Sequence, residues 1–291
     1  MIRKSIRNGL TAARSHWGLA LVLWGGNIII TAGVAWTVVW LLESAAGASL
    51  ALDVLTGGYD HTVMRDLRLE GFHYGHTAIT LLLIAAPLAV LVNTLLTGGV
   101  LATLLERSRA SLWHLIASCV AYAGRFIRLL LLGVGVLLLS ATVLVFGVWA
   151  STSSASTDKD LAELLIVALA LQLFVGGVVW TTLDYARLWI VRDRMGSAWR
   201  AFWRGGRMLL RHPLATLTIQ LAAAAVAVLT VMLQALLGAP FDMGSPGGIV
   251  AVVLVHQGLV FARSYVRLAL FSSQISVAEL LFPAGSGRQE N

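Results

Sequence analysis

Asp184 and Arg187 stand three residues apart inside an otherwise apolar stretch, and Arg263 and Arg267 stand four apart inside another. Both spacings put the paired side chains on one helical face. An ionised carboxylate at membrane depth needs a cation or water beside it, and the two later arginines are candidates to face Asp184. Guanidinium groups hold phosphate or carboxylate in two-pronged fashion, so a cluster of Asp184, Arg187, Arg263 and Arg267 can grip an anion. The same four residues can equally serve as a structural ion-pair lock between two helices.

A second set has a more regular pattern. Arg200, Arg204, Arg207 and Arg211 follow one another at steps of four, three and four, which aligns all four on one helix face where they can meet lipid phosphates. With Arg187, Arg263 and Arg267 they make up the expected lipid- or anion-binding residues. A third set, Glu70-x-x-His73-x-x-His76, has the residue types of a metal site at helical steps. Gly71 and Gly75 weaken a helix there, and no metalloprotease pattern is completed. No cofactor is expected, and Glu70, His73 and His76 are the ligands should a metal bind. His256 stands without an acid near it in sequence and reads as a packing residue. Asn27, Asn93, Gln172, Gln220, Gln234 and Gln257 read as hydrogen-bonding contacts between helices. There is no phosphate loop, nucleophile elbow or zincin helix.

The elements that must carry these residues follow from composition. The chain has 291 residues, 58% hydrophobic and 12% charged, with a mean hydropathy of +0.84. This excludes a water-soluble globule. Six runs free of Asp, Glu, Lys and Arg reach twenty residues or more: 15–42, 71–105, 129–157, 164–183, 212–241 and 243–262. Each can hold a helix crossing about 30 Å of hydrocarbon, and none has the alternation of a barrel strand. The expectation is an all-α polytopic membrane protein, a single transmembrane domain over 1–291. Its spans are placed at about 17–42, 78–105, 129–150, 161–191, 214–237 and 248–271. The first is too long in its apolar part for a cleaved leader. Trp17, Trp40, Trp149 and Trp189 fall near span ends and read as headgroup-level anchors.

Charge position matters more than the net charge of +7. With six spans, eighteen of the twenty-one basic residues fall on one side of the membrane and nine of the fourteen acids on the other. Both termini are therefore expected in the cytoplasm. The basicity is a topology signal, and no nucleic-acid partner is expected. The single cysteine, Cys119, excludes an intrachain disulfide and reads as a small apolar residue of an interfacial helix.

Apolar residues recur at helical spacing in Leu112, Trp113, Ile116, Cys119, Val120, Phe126 and Ile127, and again in Ala198, Trp199, Phe202, Trp203, Leu209 and Leu210. Interfacial helices are expected at about 3–16, 111–127 and 197–211, with an outer loop at 43–77. A shift of 86 brings Ser111-Leu112-Trp113 onto Ser197-Ala198-Trp199, and a shift of 197 brings Arg3, Arg7 and Arg14 onto Arg200, Arg204 and Arg211. At a shift of 80, Tyr185-Ala186-Arg187-Leu188 matches Tyr265-Val266-Arg267-Leu268. The reading is a threefold repeat of one interfacial helix and two spans. Gly98-Gly99 and Gly176-Gly177 permit close helix approach, between spans or between subunits.

The six spans, the basic helices before spans three and five, and the run Asp184-Tyr185-Ala186-Arg187 followed by Arg211-His212-Pro213 resemble a widespread group of bacterial membrane proteins. That group is similar to the membrane domain accompanying some glycerophosphodiester phosphodiesterases. The resemblance implies a bacterial inner-membrane protein and carries over no catalytic residue. Arginine outnumbers lysine nineteen to two, as a GC-rich genome would supply.

Three functions compete. The first is a non-enzymatic protein engaging anionic lipids, or a membrane-protein partner or second copy, through its cytoplasmic basic face. The second is a transporter or permease subunit for a lipid or other amphiphile. The third is an envelope enzyme using the outer His/Glu loop.

Overall fold

The computed structural model describes residues 2–46, 74–106, 111–152, 158–238 and 246–282. Among them every regular element is an α-helix: α1 (Ile2–Ser15), α2 (Trp17–Ala46), α3 (Tyr74–Glu106), α4 (Leu112–Thr152), α5 (Asp158–Arg192), α6 (Ala198–Arg211), α7 (Pro213–Gly238) and α8 (Pro246–Leu281). Six of these, α2, α3, α4, α5, α7 and α8, are long and apolar enough to cross a membrane. The two remaining helices, α1 and α6, have 14 residues each, about 21 Å, which is too short to span.

Two helices depart from the expected boundaries. The segment 111–127, expected as a separate interfacial helix, runs without a break into the span behind it, so that α4 is one helix of 41 residues. Nothing in Arg125-Phe126-Ile127-Arg128 stops it: there is no proline, no turn sequence and no capping residue, and Phe126 and Leu129 are fully buried. By contrast, Asp193-Arg194-Met195-Gly196-Ser197 does break the chain between α5 and α6, and His212-Pro213 breaks it between α6 and α7. The second departure is at α8, which continues ten residues past the expected end at Phe271. The continuation, from Ser272 to Leu281, is mostly buried despite its Ser-Ser-Gln start.

The chain divides into two compact units. The first comprises 1–7, 97–221 and 273–291. Its core is built from the C-terminal ends of the long helices: 97–104 of α3 and 181–191 of α5 are buried throughout, and 273–278 of α8 nearly so. The later turns of α4 and the earlier turns of α5 leave Leu138, Phe146, Ile166, Leu173 and Phe174 exposed, as side chains facing acyl chains would be. Gln172 of α5 meets the Ser140 hydroxyl at 3.1 Å and donates to the Leu137 carbonyl at 3.3 Å across to α4, the interhelical use expected of an amide in lipid. The Gly98-Gly99 pair faces α4 within this unit: a Cβ on Gly99 would lie 2.6 Å from the Leu115 carbonyl oxygen and from Cys119 Sγ. A Cβ on Gly176 or Gly177 would meet nothing within 4 Å.

The second unit comprises 8–96 and 222–272. Here Trp24 of α2 and Phe261 of α8 meet edge to face at 6.1 Å, and Asn27, Asn93 and Arg267 join α2, α3 and α8. Asn93 donates to Asn27 Oδ1 at 3.0 Å and accepts from Arg267 Nη1 at 2.8 Å. The Arg267 guanidinium lies 5.5 Å from the ring of Phe271, one turn on. Gln234 and His256 hydrogen-bond between α7 and α8, giving the isolated histidine a packing partner.

Candidate functional site

The short helix α6 carries the densest basic pattern in the chain, and its three faces differ in kind. It starts after Ser197, whose hydroxyl accepts the Arg200 backbone N–H at 3.4 Å, as an N-cap serine does. It ends at His212, whose N–H reaches the Met208 carbonyl at 3.0 Å, and Pro213 opens the next helix where a missing N–H costs nothing. At 3.6 residues per turn, Ala201, Gly205, Met208 and Leu209 share one face, and all four are buried. Trp199, Trp203 and Leu210 share a second face and are 64%, 62% and 83% exposed. The arginines occupy a third face beside the tryptophans, with Arg200, Arg207 and Arg211 exposed.

The buried face sits against α5 at backbone range. A Cβ on Gly205 would lie 2.6 Å from the Thr182 carbonyl oxygen and 3.0 Å from the Ala186 nitrogen. Only glycine permits that approach, which sets how closely α6 lies on α5.

Arg204 departs from the other three members of the stripe. Its Nη1 donates to Asp193 Oδ2 at 2.7 Å, and its guanidinium lies 4.1 Å from the centroid of the Trp189 indole. Arg192 approaches the same indole at 5.1 Å, and its Nε lies 3.8 Å from Asp193 Oδ1. Two guanidinium groups thus share one indole ring and one carboxylate. Trp189 is 1% exposed, so it is a core residue and not the headgroup-level anchor expected from its position. Trp17 and Trp149 are 58% and 72% exposed. Arg192 also donates to the carbonyls of Ala278, at 3.1 Å, and of Phe282. A cation there meets carbonyls of the last turn of α8, of which Ala278 also accepts the Phe282 N–H at 2.9 Å, and complements the negative end of its dipole. The Phe282 ring closes the group edge to face, 5.5 Å from Trp189 and 6.2 Å from His212.

Asp184 and Arg187 form an ion pair at 2.9 Å, with side chains 3% and 1% exposed, and the Arg187 guanidinium stands 5.7 Å from the Trp180 ring. Charges this deeply buried persist because each neutralises the other and shares its hydrogen bond. Arg263 and Arg267 belong to the second unit; Arg263 is exposed and Arg267 is held by Asn93. Glu70, His73 and the side chain of His76 lie outside what the structure describes; the His76 backbone falls in the first turn of α3. Among the described residues no three His, Cys, Asp or Glu side chains gather as a metal site would require.

Asp193 and Trp189 are the site residues that sequence reasoning missed. Asp193 stands eleven positions before Arg204, across a turn, and no helical spacing rule joins them. No family model, curated protein or solved structure matches this chain.

Proposed function

We propose that this chain is a non-enzymatic, multi-pass protein of a bacterial inner membrane, with both termini cytoplasmic, that engages anionic lipids through its basic cytoplasmic face. The observation that carries the reading is α6, where exposed Trp199, Trp203 and Leu210 lie beside exposed Arg200, Arg207 and Arg211. Indoles and a leucine suit the boundary between headgroups and acyl chains, and guanidinium groups suit the phosphates beside them. In α1 the same kind of arrangement supports the reading: Arg3, Lys4, Arg7 and Arg14 are exposed, while Ser5, Gly9 and Ala13 are buried.

The threefold repeat belongs to the same proposal. Leu115 and Cys119 pack at Gly99 as Gly205 packs at Thr182 and Ala186, and Ala201, the counterpart of Leu115, is buried beside Gly205 on the same face. In each case a helix start folds onto the end of the preceding long helix, and the two sets correspond at the shift of 86. The buried rows Ser5, Gly9, Ala13 and Ala201, Gly205, Leu209 correspond at 196, one residue from the shift that aligns the arginines. Kinship with the membrane domain accompanying glycerophosphodiester phosphodiesterases is part of the proposal and rests on the two short motifs.

The test replaces Arg200, Arg207 and Arg211 together by Gln and measures spin-labelled phosphatidylglycerol immobilised by the reconstituted protein. At about 1 kcal/mol for each juxtamembrane cation, the triple variant is expected to weaken this binding at least tenfold. An unchanged immobilised fraction would sink the proposal. A transporter for an amphiphile is the second reading, favoured by the polar chain Asn27, Asn93 and Arg267 at membrane depth. Its test is movement of labelled lipid between leaflets of proteoliposomes, abolished by Arg267→Gln.

A further inference from the structure

By spacing alone the four arginines of α6 are equivalent, and the structure separates them. Arg200, Arg207 and Arg211 are exposed, whereas Arg204 is bound to Asp193 at 2.7 Å and stacked on Trp189 at 4.1 Å. The next residue, Gly205, is the point of closest approach to α5. Arg204 and Gly205 therefore fix the middle of α6 at adjacent positions, one by an ion pair and the other by backbone contact. We infer that Arg204 is a positioning residue and not a lipid ligand: its clamp on Asp193 and Trp189 sets the rotation of α6, which aims the indoles at the acyl boundary and the remaining three guanidiniums at lipid phosphates. The inference rests on the lipid-engaging reading of α6 and deepens it by dividing the arginine stripe into three ligands and one strut.

The geometry gives the division a physical reason. A helix turns 100° per residue, so Trp203 and Arg204 point about 100° apart, and rotation of α6 by that amount would turn the basic face to where the indoles point. Gly205 meets Thr182 and Ala186 of α5 and shares a buried face with Ala201, Met208 and Leu209, so a rotation of α6 would pivot about that point. The Arg204 side chain reaches away from that point to Asp193, in the connection after α5, and to Trp189, within α5, and so opposes the rotation.

Asp193→Asn separates the two roles. If Arg204 were a lipid ligand occupied by an internal carboxylate, Asp193→Asn would free it and strengthen phosphatidylglycerol binding, while Arg204→Gln would weaken it. If Arg204 is a strut, Asp193→Asn and Arg204→Gln weaken binding alike, by about fivefold each, the size of one cation's contribution, and the double variant is no weaker than either single one. The measurement is immobilisation of spin-labelled phosphatidylglycerol by the full chain in phosphatidylethanolamine vesicles. A nitroxide at Leu210→Cys, in a Cys119→Ala background, reports depth in the same samples. It is expected to shift toward water in Asp193→Asn and in Arg204→Gln, and to keep its depth in Arg200→Gln/Arg207→Gln/Arg211→Gln. Arg204→Lys, which keeps the charge and loses the planar fork, is expected to behave as Arg204→Gln does. Stronger binding in Asp193→Asn, or an unchanged nitroxide depth in both single variants, overturns the strut. Unchanged lipid binding in the triple variant overturns the lipid reading itself, so the two failures are distinct.

Discussion

The Thr182 carbonyl oxygen lies 2.6 Å from where a Cβ on Gly205 would stand. The obstacle is backbone and cannot rotate aside, so Gly205→Ala must push α6 off α5 at a cost of about 1–3 kcal/mol. Gly206→Ala is the control: its Cβ would meet only Thr182 Cγ2, at 3.8 Å, and alanine gains roughly 1 kcal/mol in helix propensity. Thermal unfolding in mild detergent should rank Gly206→Ala at or above the parent and Gly205→Ala clearly below it.

The buried Asp184–Arg187 pair should break asymmetrically. Replacing Asp184 alone by Ala leaves a buried guanidinium without the carboxylate that neutralises it, and a loss of about 3–5 kcal/mol is expected. Replacing both, as Asp184→Leu/Arg187→Met, should cost less than the sum of the single changes because no lone charge is left. A denaturant titration of the four proteins in one detergent completes the cycle, and additivity would contradict the coupling.

Arg194 has φ +50, in the left-handed region that costs a side-chain-bearing residue about 1 kcal/mol or more. It is exposed and lies in the turn between α5 and α6. Arg194→Gly should therefore raise stability by roughly 0.5–1 kcal/mol, the relief of strain being partly offset by the freer unfolded chain. Arg194→Val, β-branched at the same φ, should lower it. A midpoint falling in Arg194→Gly would count against this account of the turn.

Arg192 holds the end of α8 through the carbonyls of Ala278 and Phe282. Arg192→Met removes charge-assisted hydrogen bonds worth about 1.5–3 kcal/mol. The local prediction is sharper than the global one: amide hydrogen exchange should quicken at 278–282 before the remainder of α8 is affected. Uniform exchange along α8 would show that the cap is not the restraint.

Six uncharged runs were enough to read the long helices, because a bilayer demands about 20 apolar residues whatever their order. The ends were less legible. Ser272, Ser273 and Gln274 look like the start of a loop, yet they continue α8 because its buried end gives their side chains neighbours; Gln274 Nε2, for example, lies 3.5 Å from Gln220 Oε1. The break expected near Arg128 is missing because nothing local terminates α4, and an amphipathic pattern describes one face of a helix without saying where the helix stops. For the candidate site, the i, i+3 spacing identified Asp184 with Arg187, and the four-three-four steps identified the arginine stripe. The clamp stayed hidden because Asp193 reaches Arg204 across a turn whose path depends on Gly205 fitting against Thr182.

Cys119, the chain's single thiol, stands where α4 crosses Gly99 of α3. The residue is half-buried, and its Sγ lies 2.6 Å from where a Cβ on Gly99 would stand, so its exposure depends on how closely α4 lies on α3. The rate of alkylation in the unaltered protein therefore reports how tightly the two helices pack at that crossing. Ligands, lipid composition and substitutions far from the crossing can all be compared on that one kinetic scale, with no engineered label and no background of other thiols to remove.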